Sequence, residues 1–151
     1  MSRVARSARV ASRQRPESIT AAKTIAAAET GELYFLNYNT GATITITLPP
    51  IQEGAYFRFQ IQTALAASSA QIDISAGTDV IKGTLVVLDY HATNNVDIAT
   101  NKDDGTDTKI SLIGNGNTMH VGSYVDLYCD GTSWQASGVI IADAKTQAVF
   151  A

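Results

Sequence analysis

The stretch ATITITLPPIQEGAYFRFQIQ, residues 42–62, decides the fold class. Apolar and polar residues alternate in both of its halves, which is the period of a half-buried strand and not of a helix. Pro49 and Pro50 separate the halves because neither proline can donate a hydrogen bond to a strand ladder. The apolar positions are Ile44, Ile46, Leu48, Phe57, Phe59 and Ile61. The stretch therefore predicts two strands joined by a loop.

Comparable segments recur along the chain, near residues 32–37, 71–75, 84–90, 108–113, 123–129 and 133–141. Short turn-forming stretches rich in Gly, Asn and Asp separate them, as in β-sandwiches and barrels. The pattern predicts an all-β domain over residues 17–151, an antiparallel β-sandwich or jelly-roll-like barrel. We expect these positions to be buried: Ile44, Ile46, Phe57, Phe59, Ile61, Ile72, Ile74, Ile110 and Leu112.

Two further segments carry local signals. Alanines between residues 19 and 32 would also suit a helix, but the apolar periodicity there is weak. We predict instead a strand around residues 23–26 and a turn at Thr30 and Gly31. Asp130 and Gly131, between two alternating segments, predict a hairpin with a two-residue type I′ turn.

Residues 1–16 differ in composition from the rest of the chain. They hold five of the eleven Lys and Arg residues and none of the fourteen acids, so this arm carries +5 and the body 6 − 14 = −8. The arginines are Arg3, Arg6, Arg9, Arg13 and Arg15. Such asymmetry is typical of an interaction tail, and the arm alone has too little apolar surface to fold. The same composition also suits a mitochondrial presequence.

Few residues suggest chemistry. Cys129 stands alone, so we expect a buried thiol and no disulfide within the chain. His91 and His120 lack a partner at metal-ligand spacing and are interpreted as loop residues. Asp103, Asp104 and Asp107 lack the EF-hand register and indicate an acidic hairpin tip. The stretch GNGN at 114–117 predicts a turn. We therefore expect no enzyme, no cofactor and no metal, and no apolar run is long enough to span a membrane.

Three motifs of the body carry a family resemblance: the strand ending Thr47 to Pro49, the strand Gly54 to Phe59 and the hairpin Asp130 to Trp134. With these motifs, residues 19–141 resemble the head decoration, or cement, proteins of tailed bacteriophages. The resemblance implies a non-enzymatic virion protein that assembles as a homotrimer on the outer capsid surface, binds the major capsid protein and stabilises the shell. The arm lies outside the resemblance. Its charge predicts that its five arginines strap onto neighbouring capsid subunits.

Two other functions remain open at this stage. A tail-fibre or receptor-binding β-module would present Tyr124, Tyr128 and Trp134 outward to stack on sugars. Nucleic-acid binding would use the arm, but the charge of −8 on the body opposes it. For self-assembly we expect contacts through Val86 or Val87, whichever faces away from the core. The tail, residues 149–151, is a second expected assembly contact.

Overall fold

Twelve strands form two sheets in the computed structural model of the chain, which describes residues 16–90, 97–144 and 146–151. The arm arginines and His91 lie outside these residues. The strands are β1 (Glu17–Ile19), β2 (Lys23–Thr24), β3 (Leu33–Leu36), β4 (Thr43–Thr47), β5 (Tyr56–Ile61), β6 (Gln71–Ser75), β7 (Ile81–Asp89), β8 (Asp97–Lys102), β9 (Lys109–Ile113), β10 (Tyr124–Cys129), β11 (Trp134–Ala142) and β12 (Ala148–Phe150). A short 3-10 turn covers Ala27–Glu29. No helix in the described part could cross a membrane.

Both sheets are mixed, so the predicted antiparallel arrangement is wrong in part. The seven-stranded sheet has the order β1-β3-β5-β10-β11-β7-β8, and the five-stranded sheet has the order β12-β9-β6-β4-β2. Pairs such as β3 with β5 and β4 with β6 are parallel. The reason is that successive strands from β3 to β7 alternate between the two sheets. Neighbours within a sheet are then alternate segments of the chain, which run in the same direction.

The inward faces of both sheets share one hydrophobic core, and the prediction of an all-β fold is confirmed. All nine positions expected to be buried lie in this core, as does the thiol of Cys129. An aromatic group lies within it. The ring of Phe57 is 6.2 Å from that of Tyr34 and 5.8 Å from that of Trp134, and Tyr34 stacks on Phe59 at 5.3 Å.

One close approach depends on a glycine in the middle of β7. Gly83 lies opposite Ala136 of β11 and has a φ of +137°. A Cβ there would lie 1.9 Å from the carbonyl oxygen of Ala136, far inside van der Waals contact. Only glycine therefore lets these two strands pair.

The predicted two-residue turn at Asp130 and Gly131 is wrong, although the hairpin itself is present. Cys129 pairs with Trp134, so residues 130–133 form a four-residue loop. Gly131 has a φ of +91°, but Asp130 does not have the positive φ that a type I′ turn requires. The Asp130 carboxylate accepts the backbone N–H groups of Thr132 and Ser133, both at 2.8 Å, and these bonds hold the longer loop.

The C-terminal tail belongs to the fold, whereas its role in assembly stays a prediction. Residues Ala148–Phe150 form β12 and pair with β9. Phe150 packs against the core, and the carbonyl of Ala151 accepts the N–H groups of Thr108 and Lys109, both at 3.0 Å.

Deleting residues 149–151 should therefore destabilise the fold. The deletion removes the pairing of the last two residues of β12 and exposes core surface beside Phe150, at a cost of about 2 kcal/mol or more. Urea unfolding followed by tryptophan fluorescence measures the loss. Val149→Ser, which changes only an outward side chain of the same strand, should shift the midpoint much less. An unchanged midpoint on deletion would contradict the contribution of the tail to the stability of the fold.

Candidate interaction surfaces

The outer face of the seven-stranded sheet has a polar half around the ion pair of Arg58 with Asp126. Nε and one terminal nitrogen of Arg58 bind the two carboxylate oxygens of Asp126 at 2.6 and 2.5 Å. The hydroxyl of Tyr56 donates to the same carboxylate at 2.9 Å. These contacts raise the pKa of Arg58, chiefly through the hydrogen bonds to Asp126. Because the side chains of β5 donate hydrogen bonds to Asp126 of β10, the cluster stabilises the pairing of these two strands.

The other half of this face is apolar. The strand registers place two rows of apolar or aromatic side chains next to each other: Val86, Val139 and Tyr124 in one row, and Ile98, Leu88 and Ile141 in the next. We call these six residues the apolar face. Ile98 is 65% exposed, and the other five are half-buried. Of the two valines expected to mediate assembly, Val87 lies in the core and Val86 lies on this face. Contiguous apolar surface of this kind is typical of protein interfaces.

The aromatic residues expected to stack on sugars are not presented together. Trp134 is fully buried in the core, so its predicted outward orientation is wrong. The guanidinium of Arg58 lies 4.8 Å from the centre of the Tyr124 ring and covers part of that ring. Tyr128, 47% exposed, is the most accessible of the three. The residues named for receptor binding therefore do not form one aromatic platform.

Five loops meet at one end of the molecule, which we call the acidic end. They are residues 25–32, 48–55, 76–80, 103–108 and 130–133. Hydrogen bonds connect them to each other and to the adjoining strand ends, such as Ala76 N–H to the Thr108 carbonyl at 2.9 Å and Gly54 N–H to the Cys129 carbonyl at 2.9 Å. The loops contain no Lys or Arg, but Lys23, Lys82, Lys102 and Lys109 lie at the strand ends next to them. The eight carboxylates of the loops are Glu29, Glu32, Glu53, Asp79, Asp103, Asp104, Asp107 and Asp130.

The described loops at the opposite end carry less charge, although β7 ends at Asp89 and β8 begins at Asp97 there. These loops, residues 20–22, 37–42, 62–70, 114–123 and 143–144, contain one carboxylate, that of Asp143. The sequence shows the net charge and the turn residues, but it does not show this separation, which depends on the loops that share an end. The sequence contains one indirect signal of the separation: most of the acids outside the arm fall in alternate connections between strands.

A groove of about 570 Å³ opens at the acidic end, beyond the last residues of β2, β4 and β6. These three strands are parallel, so their carboxyl ends lie side by side. The groove is lined by Ile25, Leu48, Pro49 and Pro50, by Ala76 and Gly77, by the threonines 24, 47 and 78, and by Asp79. It is therefore mostly apolar, and Asp79 supplies a carboxylate.

The three aspartates of loop 103–108 form local turns. Asp103 accepts the N–H groups of Gly83 at 2.7 Å and Gly105 at 2.9 Å, Asp104 accepts the N–H of Thr106 at 3.0 Å, and Asp107 accepts the N–H of Asp104 at 2.9 Å. The predicted acidic hairpin tip is wrong, because loop 103–108 connects β8 of the seven-stranded sheet with β9 of the five-stranded sheet; hydrogen bonds within the loop hold its turns. No group of three metal-ligating side chains occurs within residues 16–90, 97–144 and 146–151.

His120, Ser123 and Asp143 lie near one another but lack the geometry of a catalytic triad. Nε2 of His120 lies 2.9 Å from Asp143, whereas the Ser123 hydroxyl donates to the backbone carbonyl of His120 at 2.8 Å. That hydroxyl also accepts the N–H of Ile141 at 2.9 Å and is fully buried. Burial alone would raise the pKa of Asp143, but bonds from His120 and Thr118 lower it. The three residues close the loop before β10.

The stretch 114–117 forms a turn, as predicted, with Asn117 N–H bonded to the Gly114 carbonyl at 2.9 Å.

Family models, curated proteins and solved structures yield no match to this chain. The resemblance to phage decoration proteins therefore stays a prediction, and its consequences are proposals below.

Asp130 gives the acidic end a measurable pH dependence. Hydrogen bonds from the N–H groups of Thr132 and Ser133 hold its pKa well below the ordinary value of 3.8. A carboxylate whose pKa is lowered by folding stabilises the fold above its ordinary pKa, and the contribution is lost as the pH falls toward the lowered value. Asp130→Asn should therefore be less stable than the wild type at pH 7, and the difference should narrow as the pH falls from about 4 to about 2. Urea midpoints across this range measure it.

Glu53→Gln is the matched control for this prediction. It removes a charge from the same end without removing any hydrogen bond of loop 130–133. Its midpoint should stay at or above that of the wild type at pH 7, because carboxylate repulsion falls. A difference in urea midpoint between Asp130→Asn and the wild type that does not change with pH would contradict the prediction.

Proposed function

We propose that the protein is a structural, non-enzymatic virion protein that binds the outer surface of a phage capsid as a homotrimer and stabilises the shell. In this proposal the body is a β-sandwich decoration domain that contacts the major capsid protein. The apolar face supports the proposal most directly, because it offers one strand face for packing against protein.

The trimer contact is assigned to the apolar face. Val86 and Leu88 of β7 lie there next to Val139 and Ile141 of β11 and present side chains away from the core. A strand face with apolar residues at its centre and the polar cluster of Arg58 at its margin has the layout of a subunit interface, with an apolar centre and a polar rim. A second function as a receptor-binding module is not proposed, because Trp134 is buried.

The arm is assigned to neighbouring capsid subunits. Its five arginines would form charge-assisted contacts with carboxylate-lined grooves of the shell. Exposed ion pairs are worth only about 0–1 kcal/mol each, so one arm contributes a few kcal/mol at most. Three arms tethered to one trimer bind with a higher effective concentration. Shell binding should then weaken with salt without vanishing.

Val86→Glu tests the trimer contact. Its side chain points away from the core, so the variant should fold, but a charge in the apolar face should weaken self-association more than about tenfold. Light scattering gives the mass and circular dichroism checks the fold. Thr84→Glu, two residues earlier on the same face of β7 and in the polar half, should assemble normally. If both variants assemble like the wild type, the trimer does not use this face.

A truncation that starts at Pro16 tests the proposed contact between the arm and the capsid shell. Mixed with undecorated shells, it should bind more weakly than the full chain, and a variant with all five arm arginines changed to serine should resemble it. Sedimentation with shells at low and high salt measures both. Equal binding by the truncation and the full chain would assign the contact to the body alone. Normal binding by the serine variant would show that the arm acts through its backbone.

A further inference from the structure

We propose that the groove at the acidic end is the docking site of the arm of the same chain. The occupant is the segment of residues 1–15, which precedes Pro16. The inference is about the free protein. It uses surfaces of this chain alone, and it stands whether or not the capsid proposal holds.

The groove suits the composition of the arm. Ile25, Leu48 and Pro49 line the groove and are buried, and Asp79 adds a carboxylate. The arm offers the complementary groups, two valines and several alanines between arginines. An apolar groove with a carboxylate favours a chain of small apolar residues and cations over an acidic or a bulky aromatic segment.

The point where the arm leaves the body lies beside the groove. Lys23 of β2 binds the carboxylate of Glu17, the first residue of β1, at 2.8 Å. The residue after Lys23, Thr24, lines the groove. Lys23 also binds Glu29 at 2.9 Å and thereby lowers the pKa of Glu29. The first residue of β1 is thus joined to β2 by a side-chain ion pair, and fifteen residues of extended chain reach up to about 46 Å.

The carboxylates of the loops around the groove complement the charge of the arm, although four lysines at the adjoining strand ends, Lys23, Lys82, Lys102 and Lys109, offset part of that negative charge. The five loops around the groove carry eight carboxylates and no Lys or Arg, whereas the arm carries five arginines. The described loops of the opposite end carry one carboxylate. At moderate salt, opposite charges attract over about 10 Å, so a tethered cationic segment concentrates at the acidic end.

The spacing of the arm residues suits an extended docked chain. Arg3, Arg6 and Arg9 are three residues apart, and Val4 and Val10 are six apart. A polyproline II chain has three residues per turn, so each set falls along one side of it. The side with Arg3, Arg6 and Arg9 can then follow the carboxylates, while the side with Val4, Val10 and Arg13 contacts the groove.

Docking within one chain is favoured over exchange between chains. A short tether gives an effective concentration in the millimolar range, far above the concentration of a dilute protein. A neighbour's arm would compete only in concentrated solution or in an assembled trimer.

Disulfide trapping in the full chain tests the proposal. Ser7→Cys in the arm is combined with Thr78→Cys, an exposed residue on the groove rim. The matched control combines Ser7→Cys with Thr43→Cys, an exposed residue at the start of β4, at the opposite end. Cys129 is fully buried and should not compete. Oxidised glutathione at low protein concentration forms the bond, and mass spectrometry counts monomeric and dimeric products.

We expect the introduced cysteines at positions 7 and 78 to form a disulfide within the monomer at least about tenfold faster than the control pair. The ratio of the two rates should fall at least about fivefold between low and molar salt, because salt screens the attraction between the arm and the acidic end. Equal rates for the two pairs would overturn the proposal, and so would crosslinks that form mainly between chains.

A second measurement does not depend on engineered cysteines. A labelled peptide of residues 2–15 is titrated with the truncated body that starts at Pro16, and its fluorescence anisotropy is followed. The body with Asp79→Asn should bind about twofold to fivefold more weakly, as expected for one exposed ion pair. A peptide with all arginines changed to serine should bind the body at least about tenfold more weakly. If the peptide does not bind, or binds equally with serines, the groove is not the docking site. Loss of shell binding in the truncation bears only on the capsid proposal.

Discussion

The packing of Phe57 against Tyr34 and Trp134 is the contact on which the rest of the structure depends. These residues lie on β5, β3 and β11, and each side chain points into the shared core. Side chains alternate along a strand, so a shift of one residue would turn every core residue to the surface. Fixing Phe57 inward therefore also fixes Arg58 and Tyr56 outward. The polar cluster with Asp126, and the register that aligns Val86 with Val139, follow from that single choice.

The path of the chain between the sheets separates charge. Each strand runs from one end of the molecule to the other, so successive loops lie at opposite ends. Acids in alternate connections are thereby collected at one end. The eight carboxylates of these loops repel one another, and the lysines at the adjoining strand ends offset part of that repulsion. Hydrogen bonds from several N–H groups stabilise a carboxylate in its charged form. Asp130, which accepts the N–H groups of Thr132 and Ser133, is such a case.

Alternation along the chain predicted strands β3 to β7 and β9 to β11 and all nine tested core positions, because one buried face imposes a period of two. It could not predict which strands pair, since the pattern is the same in parallel and antiparallel sheets of this kind. Strands β1 and β12 were missed because three residues are too few to show a period, and β8, DIATNK, lacks alternation. The sequence placed Trp134 outside because its neighbours are polar, whereas its register with Cys129 turns it inward.

The same electrostatics connect the two proposals for the arm. A cationic segment that rests against its own acidic end is not available to a shell, so the affinity for the shell falls by the fraction of free arm. If docking is favoured about tenfold, shell binding weakens about elevenfold. Both contacts respond to salt in the same direction, so raising the salt weakens the competitor together with the strap and flattens the net dependence. In the capsid proposal, contacts of the shell to the arm backbone or to the two valines are the ones that salt leaves intact.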